Sequence, residues 1–174
     1  MSKLVLDLGC GSGREYDFNP FFAPILVNAL LSDLDHPARW VREHPLYRLY
    51  MGWVVQDAHY LALRSECVDA VALRHVLEHC EDPRKVLAEI HRVLKRGGEV
   101  IVQVPNWCSV NARADPHHRH VFTPIKLYRL LREIGYVIEL PHLLTDKLPK
   151  FIRKYLTLAI IHLTEDLVMM GRKR

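Results

Sequence analysis

The 174-residue sequence has few cysteines, and its four form no C-x-x-C pair. Such a pair would indicate a zinc ribbon or a redox site, so we expect reduced, mostly buried thiols. Long apolar runs are also missing: Leu156–Leu163, for example, contains Thr157 and His162 and is far shorter than the roughly 20 residues that span a membrane. No basic segment followed by a long apolar core opens the chain, and we therefore expect a cytoplasmic protein.

The composition has no strong bias: 49% of the residues are apolar and 25% are charged. These values are typical of globular domains and exclude collagen, coiled coil and intrinsic disorder. The length favours one domain, residues 1–174, with a core that needs no disulfide or metal. The net charge of +4 is ordinary for such a domain and does not by itself indicate a nucleic-acid partner.

Strand-like apolar runs alternate with helical stripes along the chain. This order predicts an α/β fold with a doubly wound, mostly parallel sheet of about six strands. The predicted strands are Lys3–Leu8, Ile25–Ser32, Trp53–Gln56, Val68–Leu73, Glu99–Val104 and Tyr136–Leu140.

Capping residues predict two of the helices between these strands. Asp82 caps the first, with Pro83 at its first position and Gly97 as its stop. The second has Thr123 as its cap, continues directly into Pro124, and stops at a glycine before the sixth strand. The segments 14–23 and 36–52 are less regular, and prolines interrupt the first of them.

A four-residue apolar repeat in the tail predicts a C-terminal amphipathic helix. Its members are Phe151, Tyr155, Ala159, Leu163 and Leu167. We therefore divide the domain into a cofactor-binding core, 1–140, and a helical extension, 141–174. Basic residues between 147 and 154 leave open a peripheral membrane contact through 147–170.

A glycine-rich loop, Gly9-Cys10-Gly11-Ser12-Gly13, follows the first predicted strand. Glycines let the backbone approach a ligand, which is typical of a nucleotide site. The P-loop pattern is absent, and Arg14 stands where the dinucleotide fingerprint requires glycine. Because the carboxyl ends of parallel strands converge on one crevice, we place Asp33 there, in preference to Asp35, to accept from a ribose diol, together with Asp57-Ala58 and Arg74-His75.

In this combination the sequence resembles the class I S-adenosylmethionine-dependent methyltransferases, particularly the small-molecule branch that includes the ubiquinone and menaquinone biosynthesis methyltransferases. The resemblance covers residues 3–140. Its segments are Val5–Gly13, Asp57-Ala58, Val68–Val71, Val76–His79, Arg92–Gly98, and His118–Pro124 leading to Gly135-Tyr136. Arg96 stands where the family usually has proline.

The resemblance implies S-adenosyl-L-methionine as cofactor, S-adenosyl-L-homocysteine as product, and an unidentified small-molecule or lipid-like methyl acceptor. It also implies that the glycine loop lines the methionine and sulfonium part, that Asp33 holds the ribose hydroxyls, and that Asp57 accepts from the adenine amine. The full set of implied cofactor-binding residues is Asp7, Gly9, Cys10, Gly11, Gly13, Asp33, Leu34, Asp57, Ala58, Arg74 and His75.

Methyl transfer from a sulfonium needs no protein nucleophile, but a hydroxyl acceptor needs a base. The histidines His79, His118 and His120 are the candidates. His117-His118-x-His120 could alternatively ligate a metal. We prefer a loop on the acceptor side and expect no metal.

The sequence departs from the family at both ends of the resemblance. The family usually places helices before the first strand, which here begins almost at residue 1, and no seventh, antiparallel strand is evident after Leu140. These departures leave open a homodimer that completes the pocket. Two other functions also stay open: a non-catalytic or regulatory S-adenosylmethionine-binding protein, and a membrane-surface or nucleic-acid-binding module. Of the two partners of such a module, we expect a membrane surface more than a nucleic acid.

Overall fold

The structure, a computed structural model, describes residues 3–10, 29–33, 51–139 and 165–174. Three predicted cofactor-binding residues, Gly11, Gly13 and Leu34, lie outside these ranges. So do the irregular segment 14–23, most of the segment 36–52, and most of the predicted C-terminal helix.

A seven-stranded sheet forms the centre of the fold, in the order β3-β2-β1-β4-β5-β7-β6. Its strands are β1 Val5–Leu8, β2 Ala29–Asp33, β3 Gly52–Val55, β4 Val68–Arg74, β5 Leu94–Pro105, β6 Tyr136–Glu139 and β7 Asp166–Lys173. All neighbouring strands pair in parallel except β7, which is antiparallel to β5 and β6. The six predicted strands and the doubly wound parallel arrangement are thus confirmed within the described residues, while residues 25–28 and 140 of two predicted strands lie outside them.

The seventh strand corrects two predictions, the count of about six strands and the helical character of the chain's last residues. The four-residue apolar repeat assigned Leu167 to a helix, whereas this residue is buried within β7. Burial along β7 alternates, with Leu167 and Met169 inside and Val168 and Arg172 more exposed. Only two buried apolar side chains in β7 precede Gly171. The alternation of apolar and exposed residues is therefore too short for the sequence alone to indicate a strand.

Helix α1, Pro83–Val93, begins as predicted and ends earlier than predicted. The carboxylate of Asp82 accepts from the backbone N–H of Lys85 at 3.1 Å. The residue after the helix, Leu94, already has an extended backbone and pairs with Val68 of β4. The chain therefore enters β5 before Gly97. Gly97, with a φ of +76°, belongs to β5, where the register against β4 shifts, and it does not stop the helix.

Two further helices lie between β5 and β6: α2, Asn111–Ala114, and α3, Pro124–Ile134. The α3 boundaries agree with the prediction. Thr123 Oγ1 accepts from a first-turn N–H at 3.1 Å, and Gly135 takes the left-handed conformation with a φ of +113°. A left-handed glycine is a common helix end.

The hydrophobic core lies between the central strands and the two longer helices. Its largest fully buried side chains include Leu6, Leu73, Ile90, Phe122 and Tyr136. The phenol of Tyr136 donates to the Leu87 carbonyl at 3.1 Å, which joins β6 to α1. Among the described residues, no helix is both long and apolar enough to cross a bilayer.

Candidate functional site

A cavity of about 470 Å³ opens where β1, β2, β3 and β4 end. In a doubly wound sheet the carboxyl ends of the strands are where ligands bind. The residues that line it are Leu8, Gly9, Asp33, Gln56, Asp57, Ala58, His59, His75, Val76, His79, Cys80, Glu81 and Arg119.

Gly9 brings the first loop of this cavity against the segment after β4. Its φ is +72°, and a Cβ built on it would lie 2.3 Å from Cγ2 of Val76. The N–H of Gly9 donates to the Ser32 carbonyl at 2.8 Å, so the same residue also joins the ends of β1 and β2. A residue without a side chain is therefore required at this position.

Asp33 ends β2 at the cavity wall, and Gln56 secures the strand beside it. The N–H of Gln56 donates to the Asp33 carbonyl at 2.9 Å. The buried amide side chain of Gln56 donates to Ser32 Oγ at 2.8 Å and accepts from the N–H of Ala62 at 2.9 Å. These contacts position the Asp33 backbone and the Asp57 turn relative to each other.

His59 holds Asp57 in place. Oδ1 of Asp57 accepts from the His59 N–H at 2.8 Å and lies 2.7 Å from His59 Nδ1. The other ring nitrogen of His59 accepts from the N–H of Asp82, the α1 cap, at 3.2 Å. The backbone hydrogen bond from His59, and then its side chain, keep the pKa of Asp57 below its usual value. Asp57 is therefore ionised at neutral pH and acts only as an acceptor.

His75 lies between two carboxylates just past β4. Its Nδ1 is 3.1 Å from Glu78 Oε1, and its Nε2 is 3.5 Å from Asp166 Oδ2. Asp166, and then Glu78, raise the pKa of His75 to about 10, and the same contact with His75 lowers the pKa of Asp166. His75 is protonated at neutral pH and is unsuited to act as a general base there.

Of the three candidate bases, one is exposed and two are half-buried. His79 is exposed and lines the cavity. The His118 ring packs edge-on against it, with 4.7 Å between the ring centroids. His120 lies further along the same loop, with its ring centroid 6.2 Å from that of Phe122. Of these three candidates, only His79 is among the described residues that line the cavity.

Three other predicted cofactor-binding residues, Asp7, Cys10 and Arg74, are buried. None of them belongs to the described lining of the cavity. Burial, and then the nearby charge of Asp7, raise the pKa of the Cys10 thiol far above its usual value. Cys10 is accordingly a neutral, inert thiol.

Sequence reasoning missed several residues at the site, above all His59, Gln56, Arg119 and Asp166. The Asp57-x-His59 spacing could have indicated an Asx turn, in which the carboxylate accepts from the N–H two residues later. Asp166 gave no comparable signal, because it opens the strand that the sequence analysis missed.

Comparison with known proteins gives a family match that includes every described lining residue of the cavity except Arg119. Residues 6–102 match the family model described as "Methyltransferase domain". Over 48 residues the chain is 50% identical to a ubiquinone/menaquinone biosynthesis C-methyltransferase of Acidiphilium cryptum. This aligned stretch covers 28% of this chain and 19% of that protein. Over 141 residues it is 28% identical to a Mycolicibacterium smegmatis protein named "Probable S-adenosylmethionine-dependent methyltransferase". This aligned stretch covers 78% of this chain and 52% of that protein.

A solved structure, that of a SAM-dependent methyltransferase from Archaeoglobus fulgidus, has the same fold. Its TM-score is 0.66 at 21% identity, and the match covers 98% of this chain and 86% of that one. The two curated relatives are longer, and this chain spans 19% and 52% of their lengths.

Proposed function

The chain belongs to the methyltransferase domain family, and we propose that it transfers a methyl group from S-adenosylmethionine to a small-molecule acceptor. One observation carries the proposal. Predicted cofactor-binding residues from four separate strand ends line a single cavity, namely Gly9, Asp33, Asp57, Ala58 and His75.

The residues at the cavity fit this cofactor chemically. The volume of about 470 Å³ lies within the range of pockets that enclose ligands of this size. Asp33 supplies a carboxylate for a ribose diol, and Asp57 supplies one for an exocyclic amine. The apolar side chains of Leu8 and Val76 supply contact surface beside them.

The role of the protein in such a reaction is mainly alignment. S-adenosylmethionine supplies an electrophilic methyl group on a positively charged sulfur. Asp33 and Asp57 orient the nucleoside, and the close approach at Gly9 brings the backbone to the cavity wall. Holding the acceptor in line and excluding water provides much of the rate enhancement in a displacement of this kind.

An acceptor hydroxyl or thiol must also lose a proton. His79 is the candidate base at the cavity, and its Nδ1 lies 3.3 Å from the His117 carbonyl. A carbonyl accepts only, so the proton of the neutral ring is on Nδ1 and the basic lone pair is on Nε2. His75 is excluded from this role by its raised pKa.

The proposal is tested by incubating the full chain with methyl-labelled S-adenosylmethionine and a panel of thiols, phenols, quinols and carboxylic acids. We expect label to appear in at least one acceptor class, with S-adenosylhomocysteine formed in equal amount. D33A should lower kcat/KM by roughly 10- to 150-fold, as expected for loss of a charge-assisted hydrogen bond of about 1.5–3 kcal/mol. E133A, which removes an exposed carboxylate on α3, is the control.

Cofactor binding without transfer to any class of acceptor would contradict this proposal. It would favour the non-catalytic S-adenosylmethionine-binding alternative. A homodimer and a membrane contact through 147–170 remain predictions of the sequence. Most of that segment lies outside the described residues, and 166–170 belong to β7.

A further inference from the structure

Three side chains, one of which lines the cavity, form a compact group of potential metal ligands. One carboxylate oxygen of Glu78 and one ring nitrogen each of His79 and His118 all lie within 4.8 Å of one another. The group joins the turn after β4 to the loop before α3. Backbone hydrogen bonds from Arg119 and His120 to the Glu78 carbonyl, at 2.8 and 3.1 Å, hold these two segments together.

Both imidazoles are oriented as metal-binding histidines commonly are. Nδ1 of His79 lies 3.3 Å from the His117 carbonyl, and Nδ1 of His118 lies 3.3 Å from the Ala112 carbonyl. Because a carbonyl can only accept, each neutral ring carries its proton on Nδ1 and has its lone pair on Nε2. The Nε2 of His118 also lies 3.8 Å from Asp115 Oδ2, which is beyond hydrogen-bond distance. Such carbonyl contacts typically fix the tautomer and orientation of a metal-bound histidine.

Glu78 gives an independent indication that a cation belongs here. Its side chain is 1% exposed. Oε1 contacts His75, whereas the buried Oε2 has no hydrogen-bond partner among the described residues. A buried carboxylate oxygen without a partner is costly, and native proteins usually satisfy such atoms. A bound cation would satisfy it.

We propose that Glu78, His79 and His118 bind a divalent first-row transition-metal ion, zinc or iron(II). Two imidazoles and one carboxylate are a donor set typical of these ions, whereas calcium and magnesium prefer all-oxygen sites. Donors about 2.1 Å from a tetrahedral ion are about 3.4 Å apart, so donors that now lie within 4.8 Å of one another draw closer together on binding. This inference departs from our expectation of no metal: it uses His118 but neither His117 nor His120.

The location gives the ion a role in the proposed methyl transfer, and this part of the inference rests on that proposed function. Three protein ligands leave a coordination position open, and His79 also lines the cavity. A hydroxyl or thiol acceptor bound there loses its proton to solvent more readily. Its oxygen or sulfur then forms the bond to the methyl carbon as the carbon–sulfur bond of the sulfonium breaks. In this arrangement the ion replaces His79 as the promoter of deprotonation.

The test is a titration of the chelator-treated full chain with Co²⁺, followed by its visible absorption, and then competition by Zn²⁺. We expect a single ion at this site and a d–d band typical of nitrogen and oxygen ligands. H79A and H118A should each weaken binding by at least the roughly 10- to 100-fold that loss of a residue supporting a metal ligand costs. H117A, which removes the neighbouring exposed imidazole, is the matched control and should bind as the wild type does.

Three outcomes would overturn the site: no Co²⁺ or Zn²⁺ binding by the wild type, unchanged affinity in H79A and H118A, or an equal loss in H117A. His79 is exposed, so H79A should fold normally. E78Q, which keeps the shape of Glu78 and removes its charge, provides a second variant. S-adenosylhomocysteine binding is measured separately on each protein. Failure to bind S-adenosylhomocysteine contradicts the proposed function alone, whereas failure to bind Co²⁺ or Zn²⁺ contradicts this inference alone.

Discussion

A chain position can require glycine for two physical reasons, a left-handed backbone conformation or a close contact that leaves no room for a Cβ. Three glycines of this chain differ in which of these constraints they have. Gly9 combines a φ of +72° with a close approach to Val76. Gly97 has a similar φ of +76°, but no atom lies within 4 Å of a Cβ built on it. Gly52 has neither constraint, because the atom nearest to a Cβ built there is 3.7 Å away. Alanine at these three positions should therefore measure the backbone and packing contributions separately.

We expect G97A to reduce the free energy of unfolding by about 1–2 kcal/mol, the cost of left-handed backbone for a residue with a Cβ. G9A should cost more, because steric contact with Val76 adds to the same backbone cost, and G52A should cost least. Urea unfolding at neutral pH measures all three. Equal losses in G9A and G97A would show that the close approach contributes nothing, and G9A/V76A should recover part of the difference.

Asp69 joins the starts of three strands through charge-assisted hydrogen bonds. Its Oδ2 accepts from the N–H of Leu4 at 2.9 Å, and both its oxygens lie 2.9 Å from Lys95 Nζ. The Leu4 hydrogen bond, and then Lys95, lower the pKa of Asp69. The stabilisation is thus complete above the unfolded-state pKa of about 3.9 and is lost as the pH falls through the lower folded-state value.

D69N should be less stable than the wild type by about 1 kcal/mol at pH 7, a value discounted for the partial exposure of the pair. The difference should shrink as the pH falls below 4, because protonation removes the same charge from the wild type. Urea midpoints measured from pH 2.5 to pH 7 check this. A difference that is constant over the whole range would mean that the charge of Asp69 does not matter.

At the scale of whole elements, the helix starts were the most predictable features. A capping side chain followed by proline marks the starts of α1 and α3, and the signal is local, so no distant residue can override it. The end of α1 was less predictable. Leu94 leaves the helix because it pairs with Val68, 26 positions earlier in the chain, and such long-range pairing overrides a local glycine signal.

Strand β7 is the element that sequence reasoning missed. It inserts between β5 and β6 and pairs with residues 99–105 on one side and 136–139 on the other. Lys173, near its end, is buried, and its Nζ donates to the Leu94 carbonyl at 2.8 Å. A buried lysine and an exposed Val168 obscure the alternation by which a strand is recognised.

Substitutions on the two faces of β7 test its register. L167A should reduce the free energy of unfolding by about 2–5 kcal/mol, because it leaves a cavity in the core. V168A, at the next position and 37% exposed, should change it by less than about 0.5 kcal/mol. Chemical denaturation of both variants measures the contrast. Similar losses at the two positions would contradict the strand assignment.

At the scale of the whole molecule, the parallel order of the sheet followed from the sequence because each strand is a short apolar run with a recognisable turn after it. The same topology then placed Asp33, Asp57 and His75 beside one crevice, since the carboxyl ends of parallel strands converge. The cavity-lining positions of all three follow from this rule.

The remaining parts of the site depend on contacts between distant segments. Asp166 reaches His75 from β7, and Glu78 and His79 meet His118 across 39 or more positions of the chain. A single sequence has no periodicity or spacing that reports such pairs. The sequence does not show how deeply a residue is buried: Asp7 and Arg74 are both among the implied cofactor-binding residues, yet both are buried outside the described cavity lining.

The central claim is that the cavity at the strand ends binds the methyl donor, and calorimetric titration with S-adenosylhomocysteine tests it most directly. We predict that the wild type and E133A bind alike. D33A and D57A should each weaken binding by roughly 10- to 150-fold, equivalent to about 1.5–3 kcal/mol per lost charge-assisted hydrogen bond. No binding by the wild type, or undiminished binding by both aspartate variants, would contradict the account.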